Sequence, residues 1–223
     1  MLPALALLLA SEGVCGLPAE GSAKTSLADV FALRPAHVSS ASMAPTLLSG
    51  DVVRFVRLAK GEADGTHRGG RIEAGDVILW RQERDRAADL LYTHRVVGLP
   101  GQTVQMIGGV PHIDGDPAGR TPCTRFTGDQ GPGYPRPATV VVERLANGRR
   151  YGVLDHDHDS PFDDTQPVRV PDGFYFVLGD NRDNSLDSRT PMIGLVPTSA
   201  VEGVAAYVAG SRSEKDRKAI RLR

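Results

Sequence analysis

The sequence predicts a mostly β protein built from many short strands. Its 223 residues include 25 glycines and 16 prolines at short spacings, which is typical of a chain with many turns and unfavourable for a helical bundle. Short apolar runs between these turn residues supply the strands. The length allows one large β domain or a domain with an inserted lobe. The formal net charge of −1 gives no electrostatic basis for binding nucleic acid.

The chain begins with a short apolar segment. Residues 1–10 are apolar, and Ser11 and Glu12 then interrupt the run. A membrane-spanning helix needs about 20 apolar residues, and the basic flank expected of a signal peptide is absent from this stretch. We therefore interpret residues 1–25 as a short N-terminal segment and linker that is a possible truncated membrane anchor. The residues before Cys15 do not form the small, apolar run of a lipoprotein processing site.

Apolar runs in the two outer parts of the chain predict the main strands. The run at 52–58 mixes apolar and basic residues and indicates a half-exposed strand, whereas the run at 76–80 indicates a buried one. The charged residues 81–89 predict a solvated hairpin or loop. Further strands are predicted at about 90–98, 174–178 and 194–208.

The middle of the chain, from about 103 to 171, is rich in Gly, Pro and Asp and carries scattered short strands. Residues 154–159 alternate His and Asp, but no cysteines accompany them, so we expect no metal there. The surroundings of Cys15 and Cys123 differ too much to predict a disulfide, and we expect Cys123 to be a single surface or half-buried thiol. The end of the chain, 211–223, is predicted to be a charged tail that is frayed or weakly helical.

Three separated blocks carry the most specific signal. The first block is Ser39-Ser-Ala-Ser-Met-Ala-Pro-Thr-Leu-Leu-Ser-Gly-Asp51, the second is Tyr92-Thr-His-Arg-Val-Val-Gly-Leu-Pro-Gly101, and the third is Leu178-Gly-Asp-Asn-Arg-Asp-Asn-Ser-Leu-Asp-Ser-Arg189. In this order they resemble the bacterial type I signal peptidases, and the resemblance covers roughly residues 36–208. One departure changes the chemistry, because His94 stands where the bacterial family carries a general-base lysine.

A serine hydroxyl attacks an amide only when a neighbouring base accepts its proton. Lysine can serve only if burial lowers its pKa by several units, whereas histidine, with an ordinary pKa near 6.5, needs no such change. His94 lies in an apolar stretch, and none of the lysines does. We therefore predict Ser42 as the nucleophile and His94 as the base. The lysines are Lys24, Lys60, Lys215 and Lys218.

The resemblance implies roles for four more residues. Archaeal and endoplasmic-reticulum relatives carry a histidine at this place together with an aspartate, for which Asp187 is the first choice here and Asp180 the second. Ser185 matches a serine that supports the base and could hydrogen-bond His94. Ser40 matches a position whose hydroxyl helps the backbone N–H of Ser42 to form the oxyanion hole. Taken singly, such residues are usually structural, since aspartates in this kind of loop also cap turns.

The resemblance also implies a two-lobed, antiparallel, barrel-like serine peptidase fold. Its catalytic lobe would comprise 26–102 and 173–210, and its inserted, non-catalytic lobe 103–172. We expect a serine endopeptidase that removes signal peptides from secretory preproteins at the membrane lipid surface. The expected place is the bacterial inner membrane, with the catalytic domain on the periplasmic side and no cofactor or metal. The alternatives are a specialised maturation peptidase of the same fold and a non-catalytic paralogue that binds signal peptides.

Overall fold

The computed structural model describes residues 33–57, 66–67, 70–82, 90–133, 137–156, 160–218 and 220–222. Across these residues the regular structure is almost all β-strand, and the strands pair antiparallel, which confirms the predicted mostly β fold class. No helix within them has the length and apolar content needed to cross a membrane. The predicted N-terminal segment and most of the predicted loop at 81–89 lie outside the described residues.

The strands are numbered in chain order, and two short 3-10 helices occupy Arg182–Asn184 and Thr198–Ala200. The strands are β1 (Leu33–His37), β2 (Asp51–Arg57), β3 (Thr66–His67), β4 (Gly70–Arg71), β5 (Val77–Trp80), β6 (Tyr92–Gly98), β7 (Thr103–Ile107), β8 (Val110–Ile113), β9 (Asp116–Pro117), β10 (Gly119–Phe126), β11 (Ala138–Arg144), β12 (Arg150–Leu154), β13 (Val168–Arg169), β14 (Phe174–Leu178), β15 (Val196–Pro197), β16 (Val201–Ser211) and β17 (Ile220–Arg221).

The largest sheet has the strand order β1-β2-β16-β5-β6-β14-β15, and β17 pairs with β16. All four residues of β5 are buried, as its apolar sequence predicts. Strand β6 lies between β5 and β14, with His94 opposite Ile78 and Arg95 opposite Val77. Because side chains alternate along a strand, His94 and Arg95 point to opposite faces of this sheet.

The two faces have separate apolar cores. Ile78 and Trp80 of β5 pack with Val96 in one core, on the face of His94. Their neighbours Val77 and Leu79 belong to the other core, on the face of Arg95. That second core also contains Met43 and Leu47 of the first block.

The segment between β6 and β14 forms two further sheets, β13-β7-β8-β9 and β10-β11-β12. Val104 and Met106 of β7 pack against Phe176 and Leu178 of β14 in a shared core. An isolated β-bridge between Leu154 and Asn181 also joins the end of β12 to the third block. The division into a catalytic and an inserted lobe stays a prediction.

Two expectations about the chain are wrong. Cys123 is disulfide-bonded rather than a single thiol, since sequence spacing does not report which residues meet in space; Cys15 lies outside the described residues. The tail is neither frayed nor helical, because β17 pairs with β16 and Arg217 is buried against Asp51 with an Nη2–Oδ2 distance of 2.8 Å. Asp51 is fully buried, and a buried carboxylate is stable only with such a partner.

Candidate active site

The first block presents two serine hydroxyls at the surface. Met43 and Leu47 are fully buried and anchor the turn, while Ser40 is exposed and Ser42 half-buried. The Ser40 and Ser42 Oγ atoms lie 3.1 Å apart, in hydrogen-bond contact. The apolar residues of the block therefore hold the turn in place, and its small polar residues stay accessible.

The third block holds the backbone of the first. The Asn181 N–H donates to the Ser42 carbonyl at 3.0 Å, and the Asn181 side chain donates to the Ala41 carbonyl at 3.1 Å. The N–H of Ser42 donates no hydrogen bond to any described residue. This N–H is therefore available to a developing oxyanion.

His94 is 3% exposed. Its Nδ1 accepts a hydrogen bond from the Trp80 indole N–H at 3.1 Å, so the neutral ring carries its hydrogen on Nε2. The ring also contacts the backbone of Leu186. In the part of the chain that the structure describes, His94 makes no hydrogen bond to Ser42.

Burial is the main influence on the pKa of His94. It disfavours the charged imidazolium and lowers the pKa below the ordinary 6.5, while the negative charge of Asp187 acts in the opposite direction without overcoming it. His94 is therefore neutral at pH 7. A neutral imidazole is the form that a general base requires.

Asp187, the first choice for orienting His94, forms its hydrogen bonds with Arg189 and Gly179 instead. Its carboxylate accepts hydrogen bonds from Arg189 Nε at 2.8 Å and Nη2 at 2.9 Å, and from the Gly179 N–H at 3.0 Å. Burial alone would raise the pKa of Asp187, but the charge and hydrogen bonds of Arg189, the charge of His94 and the Gly179 N–H together lower it. Asp187 is thus an ionised group that acts on His94 through its charge.

Asp180, the second choice, forms a buried ion pair with Arg95. The two carboxylate oxygens accept from Arg95 Nε at 2.8 Å and Nη2 at 2.6 Å, and the Thr46 hydroxyl donates to the same carboxylate. Arg95 Nη1 also donates to the Gly75 carbonyl at 2.6 Å. Asp180 therefore joins β6, the first block and the third block.

Ser185 is 6% exposed, and its Oγ has no hydrogen-bond partner among the described residues. The hydrogen bond to His94 that the resemblance suggests is not formed. Gly179 allows the close approach of the two blocks, because a Cβ there would lie 2.1 Å from Ser185 Oγ and 2.7 Å from the Ser42 carbonyl oxygen. The third block can pack here only with glycine at 179.

Sequence reasoning missed the partners that fix these side chains. Arg189 follows Asp187 by two residues in the third block, so this ion pair could have been proposed from the sequence. The contact of Trp80 with His94 could not have been proposed from the sequence, because it depends on the register of β5 and β6. Arg95 was read only as part of a motif, although it is the partner of Asp180.

Known proteins with similar sequences support the resemblance that the three blocks indicate. The family model described as "Signal peptidase, peptidase S26" matches residues 21–209. A signal peptidase I of Rickettsia typhi is 29% identical over 201 residues, which cover 80% of this chain and 72% of that protein. One from Rickettsia prowazekii is 32% identical over 190 residues, covering 75% and 68%.

A crystal structure of a signal peptidase I from Enterococcus faecalis aligns with 25% sequence identity, a TM-score of 0.35 and coverage of 60% of this chain and 96% of that one. The family match, which spans most of the sequence, confirms the resemblance on which the site residues were chosen. The chain belongs to the signal peptidase family, peptidase S26, and is a serine peptidase.

Proposed function

We propose that the chain is an endopeptidase that removes N-terminal signal peptides from exported preproteins, with Ser42 as its nucleophile. The assignment to peptide-bond hydrolysis rests on the family match. The accessible pair of hydroxyls at Ser40 and Ser42 supports the assignment of the nucleophile. The substrate is an extended segment that docks as an added β-strand, a mode in which main-chain hydrogen bonds supply affinity.

In the proposed reaction, Ser42 Oγ attacks the scissile carbonyl carbon and its proton passes to His94. The carbonyl oxygen becomes an oxyanion, which accepts hydrogen bonds from the Ser42 N–H and the Ser40 hydroxyl. His94 then gives the proton to the departing amine, and a water molecule hydrolyses the acyl-enzyme by the same route. The N–H of Ser42, which donates to no described residue, supports the oxyanion role.

This mechanism requires the imidazole of His94 to move. Its Nδ1 lone pair is held by Trp80, so the ring must release the indole before it accepts the proton of Ser42. Ser185 lies in the third block, and its buried hydroxyl has no hydrogen-bond partner within the described part of the chain. We propose that this hydroxyl binds the moved ring. Asp187 supports the imidazolium through its charge.

We further propose that the protein works at the bacterial inner membrane, in contact with the lipid surface and with its catalytic residues on the periplasmic side. The support is the nature of the substrate. A signal peptide contains an apolar core of about 7–15 residues, which favours the bilayer. A peptidase that cuts beside this core must reach the membrane surface.

The test is cleavage of a preprotein by purified protein in detergent. Wild type and Ser39→Ala should both cut, because Ser39 is an exposed neighbour in the same segment. Ser42→Ala should not cut and should unfold at an unchanged temperature, because it lacks only the nucleophile. Cleavage by Ser42→Ala would refute the serine mechanism. If the wild-type protein binds signal peptides but does not cleave them, it is a non-catalytic paralogue. If it cleaves only a few preproteins, it is a specialised maturation enzyme.

A further inference from the structure

Outside the proposed catalytic site, three carboxylates from separate segments meet. Asp155 follows β12, Asp163 lies in a turn closed by its N–H and the Ser160 carbonyl, and Asp183 belongs to the 3-10 helix of the third block. One carboxylate oxygen of each lies within 4.8 Å of the others. We call these three residues the Asp155 cluster.

The Asp155 and Asp163 side chains each have a buried oxygen without a hydrogen-bond partner in the described ranges. The side chain of Asp155 and the whole of Asp163 are each 3% exposed, and the Oδ1 atoms of both accept no hydrogen bond from the described residues. A Cβ at Gly109 would lie 3.0 Å from Asp155 Oδ2 and 3.5 Å from Asp163 Oδ1, so these carboxylates border the same small space. Buried carboxylate oxygens are strongly destabilising unless a proton or a cation satisfies them.

Positive charge at the cluster is scarce among the described residues. Arg120 Nη1 donates to Asp155 Oδ2 at 2.7 Å, but the same guanidinium also binds the buried carboxylate of Glu143 at 2.9 Å. Arg189 is near enough for its charge to act on Asp163, but its guanidinium donates to the Asp187 carboxylate at 2.8 and 2.9 Å.

We propose that the Asp155 cluster is a Ca²⁺ site, to which Asp155, Asp163 and Asp183 each supply a carboxylate oxygen. Calcium accepts six to eight oxygen ligands in flexible geometry, which fits aspartates gathered from separate segments. The tract at 154–159 was expected to bind no metal because its histidines lack the cysteines of a zinc site. The ligands proposed here are carboxylates and not imidazoles.

Such a site would link the middle segment of the chain to the third block. Asp183 lies between Asp180 and Ser185, and it already accepts a hydrogen bond from the His156 N–H at 2.7 Å. A cation held by Asp155, Asp163 and Asp183 would therefore restrict the motion of the loop that carries Asp180, Ser185 and Asp187.

The test is calcium titration of the full chain after treatment with EGTA, followed by calorimetry and thermal unfolding. We expect one Ca²⁺ per chain and a melting temperature that rises with calcium concentration. Asp163→Asn should lose at least tenfold in affinity, because it keeps the side-chain shape and removes the charge. Asp172→Asn, a change of an exposed aspartate outside the cluster, should bind as wild type does. Amides of residues 181–184 should exchange more slowly when calcium is bound.

The proposal fails if millimolar calcium gives neither binding heat nor a change in melting temperature beyond that of sodium at equal ionic strength. It also fails if both Asp163→Asn and Asp183→Asn bind calcium as tightly as wild type. A protein that binds no calcium and is stabilised by Asp163→Asn would have a shared proton in the cluster instead. Ser42→Ala should bind calcium normally, so the result is independent of the peptidase mechanism.

Discussion

At the scale of single residues, the surroundings of His94, the proposed base, keep its ring neutral. Burial lowers its pKa, and the Trp80 indole donates to Nδ1. An indole can donate only to an unprotonated nitrogen, so this hydrogen bond favours the neutral ring. A lysine ammonium has no acceptor to offer Trp80. The indole is thus matched to the histidine that distinguishes this chain from its lysine-using relatives.

Trp80→Phe tests this contact, because it keeps an aromatic ring and removes the N–H donor. We expect the ionisation of His94, followed by NMR, to move upward toward 6.5. Asp187→Asn should move it downward, since the charge that favours imidazolium is lost. Arg189 and Asp180 also act on the ring and stay in place in both variants. An unchanged titration in Trp80→Phe would show that burial alone keeps His94 neutral.

At the scale of elements, the apolar runs predicted the strands well, because burial on one or both faces leaves a clear sequence pattern. The strands β5, β6 and β14 lie where the runs at 76–80, 90–98 and 174–178 predicted them. The C-terminal tail was misjudged because its structure depends on Arg217 and Asp51, which are 166 residues apart. No local pattern in the sequence reports such a pair.

The tail can be tested through its buried ion pair. Arg217→Met should leave Asp51 buried without its partner and lower the free energy of unfolding by about 3–5 kcal/mol, measured by urea denaturation. Lys218→Met, a change of the exposed next residue, should have little effect. Asp51→Asn combined with Arg217→Met should recover part of the loss, because the neutral amide can still accept the Leu48 N–H. A fully stable Arg217→Met variant would show that this pair does not hold the tail.

At the scale of the whole molecule, the sheet brings the three blocks together, since Asn181 of the third block hydrogen-bonds Ser42 of the first and Asp180 pairs with Arg95 of the second. The resemblance suggested the candidate site residues, and the structure gathers Ser42, Ser185 and Asp187 around Gly179. The resemblance could not predict that Trp80 binds the His94 ring, because this contact depends on the register of β5 and β6. The proposed role of His94 as the base, with the movement that this role requires, is the central claim about catalysis.

The most direct test of that claim is the pH dependence of kcat/KM for preprotein cleavage by wild type, His94→Ala and His94→Lys. Wild-type activity should rise with pH through one ionisation below 6.5, because the lowered pKa of His94 leaves the ring neutral above it. His94→Ala should be nearly inactive, and His94→Lys should regain part of the activity at higher pH, where a lysine loses its proton. Full activity of His94→Ala with the wild-type pH profile would show that another group takes the proton of Ser42.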